Sequence, residues 1–248
     1  MMPIFCLRLA SGLAFAALLL PIRQMNPRFF RAHFLAVLGL TACSGFFLWP
    51  EASMILRVEL GVAMALSFLA SLIWTLDRSP GARWIGIGTA CSLVGLLISL
   101  TIERGPSDRP TLDVIDNLSS AGILGTATTA MVVGHSYLTA PAMSIKPLTT
   151  LLAALGTSIA IRLGAAGFEL AFWTRNHSFA KLDEITLFVP VRWLVGLIGP
   201  AVLTVLAWQT AKIRSTQSAT GILYVVVIFC FLGELISQVL LAMTGFPF

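Results

Sequence analysis

Charged residues are scarce in this chain. They make up 11% of its 248 residues, whereas 57% are hydrophobic; an average soluble domain carries about 25% charged residues. That deficit excludes a water-soluble globular surface and points to a polytopic membrane protein. Cysteine is also sparse, with Cys6, Cys43, Cys91 and Cys230 far apart in apolar runs and no Cys-x-x-Cys. Metal-binding and dithiol spacings are therefore lacking, and no metal ligand set is expected. The four read as small buried apolar residues. Neither a P-loop nor a dinucleotide-binding glycine pattern occurs. Basic and aromatic residues nowhere interleave as a nucleic-acid surface requires, so no nucleic-acid partner is expected. The excess of 16 Lys and Arg over 11 Asp and Glu is instead what the insertion rule for cytoplasmic loops produces.

What the chain has is long apolar runs. Eight can be read by length and flanking turn residues: Pro3–Leu20, Ala32–Trp49, Ala52–Leu76, Trp84–Ile102, Leu118–Thr139, Leu148–Trp173, Ile185–Thr210 and Ala219–Ala242. A bilayer core takes about 20 helical residues, so eight transmembrane helices are expected. The links between them are mostly short, which makes successive helices antiparallel neighbours. The fold class expected is all-α, an integral membrane helical bundle forming a single transmembrane domain over residues 1–248. The first run ends in Leu-Leu-Leu-Pro-Ile-Arg rather than at a small-x-small cleavage site, so it reads as a retained helix and not a signal peptide.

Loop charge sets the expected orientation. The odd-numbered loops carry Arg23, Arg28, Arg31, Arg78, Arg83, Lys146, Lys212 and Arg214, with Asp77 as their acid. The even-numbered loops carry Arg104, Arg109, Arg175 and Lys181 together with Glu51, Glu103, Asp108, Asp113, Asp116, Asp183 and Glu184. Basic residues concentrate in cytoplasmic loops, which puts both termini outside. The longest loop, Glu103–Asn117, with Pro106 and Pro110, then lies on the outer side as a solvated acidic segment. The localisation that fits is a bacterial inner membrane, with the lipid bilayer as the first partner.

Seven charges remain within the runs: Arg8, Arg57, Glu59, Arg162, Glu169, Arg192 and Glu234. A charge at membrane depth costs at least about 2.5–3.5 kcal/mol on insertion scales, so it faces the bundle interior and has a partner or a task. In the expected orientation all seven fall in the outer half. Arg8, Arg57 and Glu59 lie near helix ends, where pairing between helices or snorkelling accounts for them. Arg162, Arg192 and Glu234 lie deeper and are candidates for a site. Arg162 and Glu169, seven apart, share a helix face; Glu234 and Gln238, four apart, share another. Tyr224, Phe231 and Gln238 recur every seven residues along the last run. The candidate quinone-binding or proton-handling set is Arg162, Glu169, Arg192, Tyr224, Glu234 and Gln238, and no catalytic residue is expected.

His135, with Thr128 and Met131 on its face, and His33 form a possible secondary polar site near the cytoplasmic ends of their runs. Two histidines on different helices can bind haem axially; helix-packing histidines or headgroup contacts are the simpler reading. His177 falls in a loop, within the glycosylation-type sequence Asn176-His-Ser178. The small residues Ala121, Gly125 and Thr129 repeat every four positions, as at a close helix crossing. Gly164 and Gly167 read the same way, and Gly199-Pro200 is expected to bend the seventh run.

Arg192 near the outer start of the seventh run and Gly233-Glu234 within the eighth resemble the membrane anchor subunits of the dimethyl-sulfoxide and polysulfide reductase type. The likeness rests on the eight-run layout and, in sequence, on the last two runs. That family's final helix often reads Gly-Glu followed by Gly-Arg, whereas this chain has Ser237-Gln238 in the second place. The resemblance implies a bundle that interacts with quinone, without a covalently bound cofactor, and passes electrons to other membrane or peripheral redox subunits. Such a chain is at most a non-catalytic quinone-interacting subunit of an oxidoreductase. Two other functions fit the residues. Buried Arg and Glu can serve a small proton-coupled transporter, although Arg57 and Arg192 occupy comparable places without the repeat that transporters favour. A structural or assembly subunit would use the same charges only to join helices.

Overall fold

The computed structural model of the chain describes residues 1–22, 24–76, 81–103, 109–139, 143–176 and 184–248. Several charges behind the orientation argument, Arg23, Asp77, Arg78, Arg104, Asp108, Lys181 and Asp183, lie outside the described residues, as do Pro106, His177 and Ser178. The described residues form helices and no strands: α1 Met2–Leu18, α2 Pro27–Leu48, α3 Met54–Ile73, α4 Ala82–Glu103, α5 Pro110–Thr139, α6 Lys146–Asn176, α7 Glu184–Trp193, α8 Gly199–Lys212 and α9 Thr216–Thr244. A π-helical turn, Leu194–Ile198, joins α7 to α8.

Six of these rods are long and apolar enough to cross a membrane: α2, α3, α4, α6, the run Leu187–Lys212 through the π turn, and α9. Met2–Leu18 is apolar and shorter. Large hydrophobic side chains point outward along them, among them Phe46, Met54, Ile55 and Leu187. Such an apolar exterior marks lipid contact, since water-soluble surfaces do not carry it. The chain has the build of a multi-pass membrane protein.

Local chemistry explains where the helices start and stop. Asn26 caps α2 by accepting the Arg28 N–H at 2.9 Å, with Pro27 at the first helical position, where its missing N–H costs nothing. Ser53 caps α3 through the Leu56 N–H at 3.3 Å. The same serine donates from N and Oγ to the Glu103 carboxylate at 3.0 and 2.8 Å, tying the start of α3 to the end of α4. Helix α9 ends at Gly245, whose φ of 76° is the left-handed conformation that stops helices.

Two boundaries differ from the sequence reading. Helix α5 begins at Pro110, so much of the expected loop Glu103–Asn117 is helical. Pro110 sits in the first turn, with Asp113 beside the positive end of the helix dipole. Asp116 and Asn117 become helix residues, and Asp116 is buried. The seventh run breaks earlier than Gly199-Pro200 suggests. Pro200 has no N–H to give the Gly196 carbonyl four residues before it, and the chain widens into the π turn, in which the Gly199 N–H bonds to the Leu194 carbonyl.

The chain divides into two compact units, Met2–Thr129 and Ala130–Phe248. Within the first, α1 packs on α2 and α4, α2 on α3, and α3 on α4. Gly12 lies backbone-to-backbone against Ala121 and Gly125, so that a Cβ on Gly12 or Gly125 would collide with the opposing chain. The small-residue repeat of α5 thus has α1 as its partner. In the second unit α9 packs on α7, the π turn and α8, and α6 packs on α8. Its core joins Ala166, Trp173, Leu197, Leu240 and Phe248. Lipid is as apolar as leucine, so close packing and hydrogen bonds hold such helices together.

Candidate functional site

The second unit is organised by the inward stripe of α9. Leu223, Val226, Cys230, Gly233, Ser237 and Leu240 are buried at intervals of three and four, which keeps them on one helix face. At Gly233 this stripe meets the π turn. A Cβ built on Gly196 would lie 2.6 Å from the Gly233 Cα, so two backbones touch where any side chain would separate them.

That crossing holds Arg192. Pro200 leaves the Gly196 carbonyl without its helical donor, and Arg192 Nη1 donates to it at 3.4 Å from one turn back. The same nitrogen would be 2.9 Å from a Cβ on Gly233. Arg192 and Glu234 are both buried. Cys230, one turn before Glu234, lies within electrostatic reach of both. Glu234 Oε1 accepts from Gln238 Nε2 at 2.9 Å, four residues along the same face.

Ser237, three residues after Glu234, carries the polar stripe to α6. Arg162 is fully buried there, and its Nη2 donates to Ser237 Oγ and to the Pro247 carbonyl, each at 2.9 Å. Ser237 Oγ donates to that same carbonyl at 2.7 Å. The segment beyond Gly245 is thereby held in the core, and Phe248 is fully buried, 5.7 Å from Trp173 between ring centroids. Glu169, two turns beyond Arg162 on α6, is fully buried too.

Of the candidate residues, Arg162, Glu169, Arg192, Glu234 and Gln238 are buried in this one unit, and Arg162, Arg192, Glu234 and Gln238 bond along the inward stripe of α9 and the turn it meets. Tyr224 is 46% exposed and stands apart. A seven-residue interval drifts about 20° round a straight helix at each step, so the line from Gln238 through Phe231 leaves the core before Tyr224. His135 is exposed on α5. His33 is buried in the first unit, with Nε2 3.0 Å from Thr129 Oγ1 and its ring stacked on Phe29, which occupies the nitrogen that an axial haem ligand would use. Thr128, on the His135 face, bonds to the Leu124 carbonyl of its own helix.

The remaining charges have structural partners. Arg8 Nε donates to Asn117 Oδ1 at 2.9 Å, and Asn117 Nδ2 donates to Thr101 Oγ1 at 2.9 Å. Glu59 accepts from Ser99 Oγ at 2.9 Å. Arg57 lies over the Trp49 ring at 5.5 Å, a cation–π contact. Asn117 and Asp116 escape the sequence reading because they fall in the expected loop; Ser237 escapes because serine in an apolar run is common. Its offset of three from Glu234 is the signal that could have found it.

In the second unit, the buried atoms Gln238 Oε1 and Trp193 Nε1 lack hydrogen-bond partners among the described residues. Leaving such a group unsatisfied costs about 1–3 kcal/mol, so each is a place where a ligand atom would be welcome. One is an acceptor and the other a donor. Trp173, Phe246 and Phe248 pack against one another in the core of the same unit. Among the described residues no three His, Cys, Asp or Glu gather as metal ligands. No protein-family model, curated protein or solved structure matches the chain.

Proposed function

We propose that this chain is an integral membrane subunit of a respiratory electron-transfer complex, anchoring a redox partner and interacting with quinone at the Arg162–Arg192–Glu234–Gln238 patch. In this reading it has eight spans, with both termini outside, in a bacterial inner membrane. The observation that carries it is the unpartnered Gln238 Oε1 beside the buried carboxylate of Glu234. An orphan acceptor next to a proton acceptor suits a ligand that presents a hydroxyl and then gives up its proton.

A bound quinol would supply the electrons and protons, and the electrons would leave through a partner subunit. The chain's own residues would do the rest. Gln238 Oε1 would accept the hydroxyl, and Glu234 would take the proton within hydrogen-bond reach of it. Arg192, pinned by Gly196 and Gly233, would hold that carboxylate in place. Trp193 Nε1 would donate to the second oxygen.

The test is Glu234→Gln, which keeps the side chain's size and a hydrogen bond to Gln238 while removing the proton acceptor. Quinol-dependent electron transfer by the assembled complex should fall about 10²-fold or more, with the amount of assembled protein unchanged. A second reading has its own observation: Arg162 bonds both Ser237 and the Pro247 carbonyl, as a purely structural lock would. Loss of folded protein in Glu234→Gln would favour that reading.

A further inference from the structure

A pocket in the first unit lies outside the patch described above. It opens where the end of α1, the start of α2, the end of α3 and the start of α4 come together, and holds about 270 Å³ of empty space, part of it open to the surroundings. Leu18, Phe30 and Phe34 line it with Trp74, Arg83 and Gly86. Gly86 keeps it open: a Cβ there would come within 3.2 Å of Phe34 Cζ and 3.3 Å of Leu18 Cδ2.

Trp74 is 4% exposed, stacked on Phe30 at 4.3 Å, and its Nε1–H has no hydrogen-bond partner among the described residues. An indole nitrogen can only donate, so the pocket lacks an acceptor. Arg83, exposed at the rim, is the other polar side chain of the lining, and it too only donates. Arg28 and Arg31 are exposed at the start of α2, at the same end of the helices. The occupant that fits has an apolar body, an uncharged acceptor at depth and a negative charge at the mouth. The enclosed part is only about the size of one water molecule, room for a single carbonyl group of an amphiphile whose body and tails stay outside. Exposed Leu69, Leu72 and Leu76, at and just beyond the end of α3, offer those tails an apolar surface.

We propose that this pocket binds an anionic phospholipid, with an ester carbonyl on Trp74 Nε1 and the phosphate facing Arg83. Two donors and no acceptor among the lining side chains match an ester and a phosphate. The positive rim favours an anionic headgroup over a neutral quinone, whose carbonyls would otherwise suit Trp74.

Native mass spectrometry of the full chain released from nanodiscs of phosphatidylglycerol or phosphatidylcholine tests this, with a short-chain ubiquinone as competitor. Phosphatidylglycerol should stay bound at one copy per chain and outlast phosphatidylcholine. Trp74→Phe keeps the ring on Phe30 and loses only the N–H, and should weaken retention about fivefold, the worth of one hydrogen bond. Arg83→Gln, at an exposed position, should remove the preference for phosphatidylglycerol without altering the fold. Equal retention in wild type and both variants would overturn the proposal, as would ubiquinone displacing the lipid or binding in its place. The readout is lipid retention and not electron transfer, so its failure is separate from failure of the quinone reading.

Discussion

Gly233→Ala is the sharpest perturbation of the second unit. The new methyl would collide with the Gly196 Cα and lie 2.9 Å from Arg192 Nη1 and 3.1 Å from the Gly196 carbonyl oxygen. Backbone cannot rotate out of the way as a flexible side chain can, so α9 and the π turn must part. Overpacking of this kind costs about 1–3 kcal/mol, and parting the helices also pulls Arg192 from the Gly196 carbonyl, 3.4 Å from its Nη1. Gly221→Ala on the same helix is the control, because a Cβ there meets nothing within 4 Å. By helix propensity alone either substitution should stabilise, by up to about 1 kcal/mol. Equilibrium unfolding of both variants in mixed detergent, followed by circular dichroism, separates the effects. Gly221→Ala should match or exceed wild type, while Gly233→Ala should lose about 1–3 kcal/mol. Equal stability of the two variants would refute the backbone contact, and with it the means by which Arg192 is held.

Further outcomes follow from the same geometry. Arg162→Ala removes the charged donor from Ser237 and Pro247, each such bond worth about 1.5–3 kcal/mol; the amides of Phe246 and Phe248 should then exchange hydrogen faster, whereas unchanged exchange would contradict the lock. For the proposed orientation, a cysteine-free chain carrying Glu51→Cys should react with an impermeant maleimide from outside whole cells, and one carrying Gln217→Cys only after lysis. Both positions are exposed, so the reverse pattern would invert the topology.

The helical character of the chain and the identity of its deep charges are legible from sequence because they depend on local facts. An apolar run of bilayer length is a helix whatever surrounds it, and Arg192 or Glu234 within one stands out at once. Spacing along a single helix also gives Glu234 and Gln238 one face, and the structure joins them. Which helices meet is another matter. Nothing in the order of residues says that Gly196 will lie on Gly233, or Gly12 on Gly125, since glycine permits a close approach without naming its partner. Arg162 shows the same limit: its acceptors are Ser237 and a backbone carbonyl far along the chain. The misplaced start of α5 has a different cause. Pro106, Pro110 and several acids look like loop, yet proline in the first turn followed by an acid is also a helix-start signal. Tyr224 faces outward because a seven-residue stripe drifts round a straight helix.

We propose that this chain works in a redox complex and holds quinone at the α9 patch. Purification in a mild detergent, with mass spectrometry of co-purifying proteins and of extracted lipids, tests it most directly. An iron–sulfur or cytochrome partner should co-purify together with bound quinone, and the quinone should be depleted when Gln238 is changed to leucine. A chain that purifies alone, with neither redox partner nor quinone, would contradict it.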